Sequence, residues 1–119
     1  MTNQDIFDTV AIHLIKQGKK SADANGDCLY RSPEGLKCAV GCLIPDEVYD
    51  PEMEERVISR LLGCYDSLNF LWPYYDLLND LQRTHDMLLT ENQTWKDAVI
   101  LRLYELAEKY NLSTAALDT

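Results

Sequence analysis

The chain has 119 residues, 46% of them hydrophobic and 26% charged, with a formal net charge of −9. That length fits one domain, and the ordinary composition excludes a disordered tail or a collagen-like chain. No apolar run approaches the ~20 residues that a bilayer span needs.

Residues 2–18 read as an amphipathic helix. Ile6, Val10 and Leu14 form one stripe, with Phe7, Ala11 and Ile15 beside it. Thr2 caps its start, Asp5 sits in the first turn and Gly18 suits the stop. Residues 20–27 are loop, turning at Asn25-Gly26. The runs Cys28–Arg31 and Leu36–Val40 flank Ser32-Pro33-Glu34-Gly35, which reads as a two-stranded β-hairpin. Residues 38–44 continue the strand or begin a short helix, and Pro45 ends either. Asp50-Pro51 opens a second helix running to Gly63, with Met53, Val57 and Leu61 facing one way. Residues 64–72 show no clear period. Pro73 falls in the first turn of a third helix whose inner stripe is Leu71, Tyr74, Leu78, Leu81, His85 and Leu88. A fourth spans 94–110. Thr94 caps it, with Asp97 three residues on, and Trp95, Val99, Leu103, Leu106 and Tyr110 face inward. The expected fold is therefore a single mainly α (α+β) domain over 1–119. About four helices surround one core, with a small two-stranded β-hairpin at one side.

Charge is unevenly spread. Residues 1–42 balance, whereas residues 43–91 hold eleven acids against three bases. Asp46, Glu47, Asp50, Glu52, Glu54 and Glu55 fall within ten residues with no base among them. Some of these offset a helix dipole; the rest are free to dock a partner. Tyr65, Phe70, Trp72, Tyr74 and Tyr75 cluster around Pro73, more aromatic surface than one helix face hides. The expected partner-binding surface combines the six acids with Trp72, Tyr74 and Tyr75, and its natural partner is a protein with a basic surface. Direct nucleic-acid binding is not expected, because no Lys/Arg cluster exists to track phosphates. Met1–Gln17 lacks the uninterrupted apolar stretch of an export signal, which points to the cytoplasm.

Four cysteines, Cys28, Cys38, Cys42 and Cys64, are expected as reduced thiols in that compartment. The alternative to a docking protein is a metal- or small-ligand-binding protein, or a thiol enzyme, built on Cys28, Cys38, Cys42 and His85. The gaps between cysteines, nine, three and twenty-one residues, do not match the tight paired spacing of zinc sites. Small buried thiols explain them more simply, and no cofactor is expected. His85 on an apolar stripe reads as a partly buried histidine with one hydrogen-bonded nitrogen rather than a ligand or base. Asp23, Asn25, Asp27 and Glu34 approach calcium-loop spacing, but Cys28 stands where that loop requires glycine. No phosphate loop, nucleophile elbow or His-Glu-x-x-His motif is present.

The segments Cys28-Leu-Tyr-Arg31, Gly35-Leu-Lys-Cys-Ala-Val-Gly41, Leu43-Ile-Pro-Asp-Glu47 with Tyr49, and Leu81-Gln82-x-x-His85-Asp86 resemble a signature in a family of small proteins of bacteria, prophages and phages. The resemblance runs from the first helix to about residue 88. It carries no assigned activity; it implies a cytoplasmic protein with a phage connection, and it adds weight to His85 and Asp86. The resulting expectation is a small acidic non-enzymatic interaction protein, phage-derived, that binds and modulates a host defence or nucleic-acid-processing factor.

Overall fold

Helix α1 (Asn3–Gln17) is the centre of the molecule, and its ends explain its limits. Thr2 and Asp5 form a reciprocal capping box, and Gly18 closes the helix at φ 69°. Ile6, Phe7, Val10, Ala11 and Leu14 are completely buried. The computed structural model, which describes residues 1–90 and 92–118, adds helices α2 (Ile58–Cys64), α3 (Tyr75–Asp86) and α4 (Trp95–Lys109). Helix α1 packs on α3 and α4, which pack on each other, and the short 3-10 helix Ala115–Asp118 closes over α1 and α4. Asp80 on α3 clamps α4 by accepting from Lys109 Nζ at 2.8 Å and Tyr110 Oη at 2.6 Å. Burial pushes its carboxyl up, but those two donors outweigh it and hold Asp80 below the ordinary carboxylate range. Among the described residues no helix is long and apolar enough to cross a membrane.

The fold is mainly α, and the expected two-stranded hairpin is absent: among the described residues only two isolated bridges occur, Ala22 with Cys28 and Arg31 with Lys37. The turn was placed correctly, since Ser32 N–H donates to Leu36 O and Cys38 N–H to Tyr30 O. The ladder does not extend because both groups of the missing half of the Tyr30–Cys38 rung are taken: Glu54 accepts from Tyr30 N–H at 2.7 Å, and the Cys38 carbonyl accepts from Cys42 N–H. On the outer edges Glu54 also accepts from Arg31 N–H at 3.0 Å, and Gln17 accepts from Lys37 N–H at 2.9 Å. Beyond Cys38 the chain coils into a 3-10 turn, Gly41–Leu43. Gly41 passes so close to the other arm that a Cβ there would lie 1.9 Å from Tyr30 O. The upstream loop is a second tight turn, in which Asp23 Oδ1 accepts from the amides of Asn25 and Asp27. That local role occupies the carboxylate that the calcium spacing singled out.

The second expected helix is broken in two. A 3-10 turn, Pro51–Glu55, is capped by Asp50, and the extended residues Arg56 and Val57 separate it from α2. A continuous helix would have placed Val57 on the Met53–Leu61 stripe. The break exposes Val57 to 66% while burying Met53, Ile58, Leu61 and Leu62, and it leaves Glu54 able to reach Tyr30 and Arg31.

The third expected helix also changes form. Asp66–Tyr74 is a nine-residue 3-10 helix that leads into α3. Such runs seldom exceed about four residues. Pro73 supplies the reason: in an α-helix its ring would meet the carbonyl of Asn69, and the residue before it disfavours the α conformation. The α geometry therefore begins only at Tyr75. Leu71, Leu78, Leu81 and His85 face inward as expected, but α3 ends at Asp86 and Leu88 is 95% exposed.

Candidate functional site

Two features can carry function: a polar cluster where α3 meets the 21–28 turn, and the outward face of the 3-10 helix.

The cluster is centred on Asp86, at the C-terminal end of α3. Its carboxylate accepts from His85 Nδ1–H at 2.6 Å and from Gln82 Nε2–H at 3.1 and 3.2 Å. Gln82 is held in that orientation because its Oε1 accepts from Val40 N–H at 3.1 Å, and the same Nε2 also donates to Cys28 Sγ at 3.0 Å. His85 is completely buried. Its Nε2 accepts from Ser21 N–H at 3.0 Å, and its ring meets Trp95 edge-on at 5.7 Å. Trp95 in turn donates from Nε1 to the His85 carbonyl at 3.0 Å. Those partners assign the neutral ring as the Nδ1–H form. Burial pushes Asp86 up, but the donors His85, Cys28 and Gln82 outweigh it and hold its carboxyl below the ordinary range. For His85, burial disfavours the charged ring, while Asp86 and Cys28 draw its pKa above the ordinary value. The Ser21 amide works against charging, because it needs the Nε2 lone pair.

Cys28 Sγ, His85 Nδ1 and an Asp86 oxygen all lie within 4.8 Å of one another, the spacing of a possible three-ligand metal centre. The donor set does not favour a cation there. The Gln82 amide and the His85 Nδ1–H both point hydrogens at the would-be ligand atoms. A ring bound through Nδ1 would carry its proton on Nε2, facing the Ser21 N–H donor to donor, whereas metal-bound histidines ordinarily donate that second N–H to an acceptor. Neither is an activated nucleophile present. The Cys38 thiol beside it, and then burial, push the Cys28 thiol far up, so it stays protonated at neutral pH. Burial pushes Cys42 up to about 12. Of the expected ligand set, the structure groups Cys28 with His85, and the third member of that group is Asp86; Cys38 neighbours Cys28 but is not part of it. Cys42 is turned to its own strand of chain, with its thiol donating to Ala39 O at 3.1 Å.

Beside this cluster opens a cavity of about 290 Å³. Asn79, Gln82 and Asp86 of α3 line it together with Cys28, Glu54 and Arg56, and Val57 and Ile58 add apolar surface.

The acidic block is largely spent on the fold. Asp46 pairs with Arg31 at 2.8 Å and Lys37 at 3.5 Å. Asp50 caps the 3-10 turn, accepting from Glu52 N–H. Glu54 accepts from two backbone amides and from Tyr49 Oη. Glu47, Glu52 and Glu55 remain exposed. The aromatics behave differently. In a 3-10 helix residues three apart eclipse, so Leu68, Leu71 and Tyr74 make one stripe, turned inward, with both leucines fully buried. Tyr74 Oη donates to the Met1 carbonyl. The outward stripes are Asp66, Asn69, Trp72, Tyr75 and Ser67, Phe70, Pro73, Asp76. Phe70 is 45% and Trp72 41% exposed, and the Trp72 and Tyr75 rings touch at 5.6 Å. Asp66 and Asp76 are exposed at the ends, and no base occurs from residue 61 to 82.

Sequence reasoning missed Phe70 as a member of the surface, and Ser21 and Gln82 as partners in the polar cluster. The i,i+4 spacing of Gln82 and Asp86 on one helix was a usable signal. Ser21 carried none, since its role depends on a residue 64 positions away. Comparison with family models, with curated proteins and with solved structures returned no match.

Proposed function

We propose that this chain is a non-enzymatic acidic interaction protein that binds a partner protein with a basic surface through the face built on residues 66–76. One observation carries the reading: the 3-10 helix holds Phe70 and Trp72 out to solvent, between Asp66 and Asp76. Large aromatic rings are the anchors of protein interfaces, and a carboxylate rim adds steering and selects against acidic partners. Neither ring is used by the core, because Leu68, Leu71 and the half-buried Tyr74 fill the inward stripe. Of the nine residues expected in the surface, Trp72 and Tyr75 stay at its centre and Glu47, Glu52 and Glu55 contribute solvent-facing charge. Asp46, Asp50, Glu54 and Tyr74 serve the fold instead. In the setting the resemblance implies, the partner is a cytoplasmic host protein of a phage, a defence or nucleic-acid-processing factor whose basic groove this face occupies.

The test is capture from bacterial lysate at low salt, followed by reconstitution with the purified partner. Expected is a complex that weakens as salt rises, and that Phe70→Ala and Trp72→Ala each weaken by about 1–4 kcal/mol, the range for central interface residues. A complex indifferent to both substitutions overturns the reading.

A further inference from the structure

From the cavity beside Asp86 we infer that this protein anchors its partner by a single lysine side chain, inserted between α3 and the Arg56–Ile58 segment with its ammonium on Asp86. The inference rests on the interaction reading above and names the group that the site takes.

Tyr75, Asn79, Gln82 and Asp86 recur at spacings of four, three and four along α3, so they lie on one helix face. Trp72 touches Tyr75, and Asn79 Nδ2 donates to Tyr75 O at 3.1 Å. The stripe therefore runs from the aromatic platform directly to the cavity. The cavity volume of about 290 Å³ accommodates a lysine side chain. Its stem has an apolar wall in Val57 and Ile58, the way long cationic side chains bury their methylenes while presenting a charged end.

The charge fits one cation. Two carboxylates, Glu54 and Asp86, line the cavity against one guanidinium. The Arg56 guanidinium lies over the Tyr65 ring and donates to Cys64 Sγ at 3.4 Å, and neither of these residues lines the cavity. Glu54 already has three donors, two amides and a hydroxyl. Asp86 has two, His85 and Gln82; its side chain is 37% exposed, and a carboxylate has about four acceptor positions, so room remains for one more. A single open position suits the point charge of an ammonium rather than the two-pronged fork of a guanidinium. Among the described residues Asn79 Oδ1 accepts no hydrogen bond, which supplies a second acceptor on the same stripe.

The test uses the full-length, isotope-labelled protein and no partner. Titration with n-butylammonium should give saturable amide shifts at Cys28, Asn79, Gln82 and Asp86, and 1-butanol at equal concentration should not. Nα-acetyl-lysine amide should compete for the site. Asp86→Asn should weaken butylammonium about tenfold, the scale of one charge-assisted hydrogen bond. Because that change also disturbs the polar cluster, Asn79→Trp serves as the second variant: it fills the cavity mouth, leaves the donors to Asp86 in place, and should abolish binding. Shifts that do not saturate, equal shifts with 1-butanol, failure of the lysine amide to compete, or indifference to both variants overturn the inference. If butylammonium fails to bind while partner capture still depends on Trp72, this inference falls alone. If butylammonium binds and capture ignores Phe70 and Trp72, the surface reading falls and the ammonium site stands.

Discussion

His85 and Glu54 show how a polar residue can be dedicated to architecture. Each is charged or chargeable, each lies in a segment of functional-looking sequence, and each bonds distant backbone as well as a near neighbour. His85 joins three pieces of backbone: its own helix α3, the Ser21 amide, and through its carbonyl the Trp95 indole at the start of α4. Replacing it by a ring of similar shape without nitrogens isolates the consequence. His85→Phe leaves the buried Ser21 amide without its acceptor and removes one donor from the partly exposed Asp86 carboxylate. The buried loss costs ~1–3 kcal/mol and the solvent-reachable one less, so urea denaturation should show about 1–4 kcal/mol less stability with an unchanged m-value. A neutral result would mean that the ring's nitrogens do not tie these segments together. The inward direction of His85 is legible in the sequence, because its place on an apolar stripe is a local fact, although full burial and the second bonded nitrogen are not. The role of Glu54 is not legible there, since its backbone partners lie 23 and 24 residues upstream; a run of carboxylates looks the same whether each one faces water or an amide.

At the scale of elements, what was legible was whatever the local chain decides alone. The boundaries of α1 and α4 follow from Thr2 with Asp5 and Thr94 with Asp97, and the structure places them within a residue or two of expectation. The 64–74 stretch was illegible because its apolar residues follow a period of three, close enough to 3.6 to blur over so short a run. That same period yields a discriminating prediction. Leu71 and Trp72 are neighbours, yet one is completely buried and the other 41% exposed. Leu71→Ala should cost about 2–5 kcal/mol, the range for a buried leucine, whereas Trp72→Ala should cost less than about 1 kcal/mol, as exposed positions do. Chemical denaturation of both variants decides it. Equal losses would mean that the segment is an ordinary α-helix with Trp72 packed inward, and the docking face would disappear with it.

For the whole molecule, the helices account for only part of the cohesion. The long non-helical stretch between α1 and α2 makes no sheet, and it is fastened by side chains reaching into backbone: Glu54 and Gln17 to amides, Arg31 Nη2 to the Ile44 carbonyl at 2.7 Å, Ser21 Oγ to the Leu29 carbonyl at 2.7 Å. All these ties assume that the two arms, 28–31 and 37–41, lie against each other. Their closest approach is Gly41 against Tyr30, and both contacting groups there are backbone. Gly41 needs no unusual dihedral, so its requirement is space alone. A methyl group 1.9 Å from a carbonyl oxygen cannot be relieved by rotating a side chain; the arms must separate. Separation would loosen Tyr30 from the Arg56 carbonyl it bonds at 2.6 Å, and with it the Glu54 contacts that shape the cavity. Gly41→Ala should therefore cost about 3 kcal/mol or more, at the upper end for overpacking. Butylammonium should bind it more weakly too, even at temperatures where the protein remains folded. Calorimetry and the same titration check both halves, and a variant as stable as the parent would show that the arms are not in contact. A variant that is destabilised yet binds normally would show instead that the cavity is held by α3 alone.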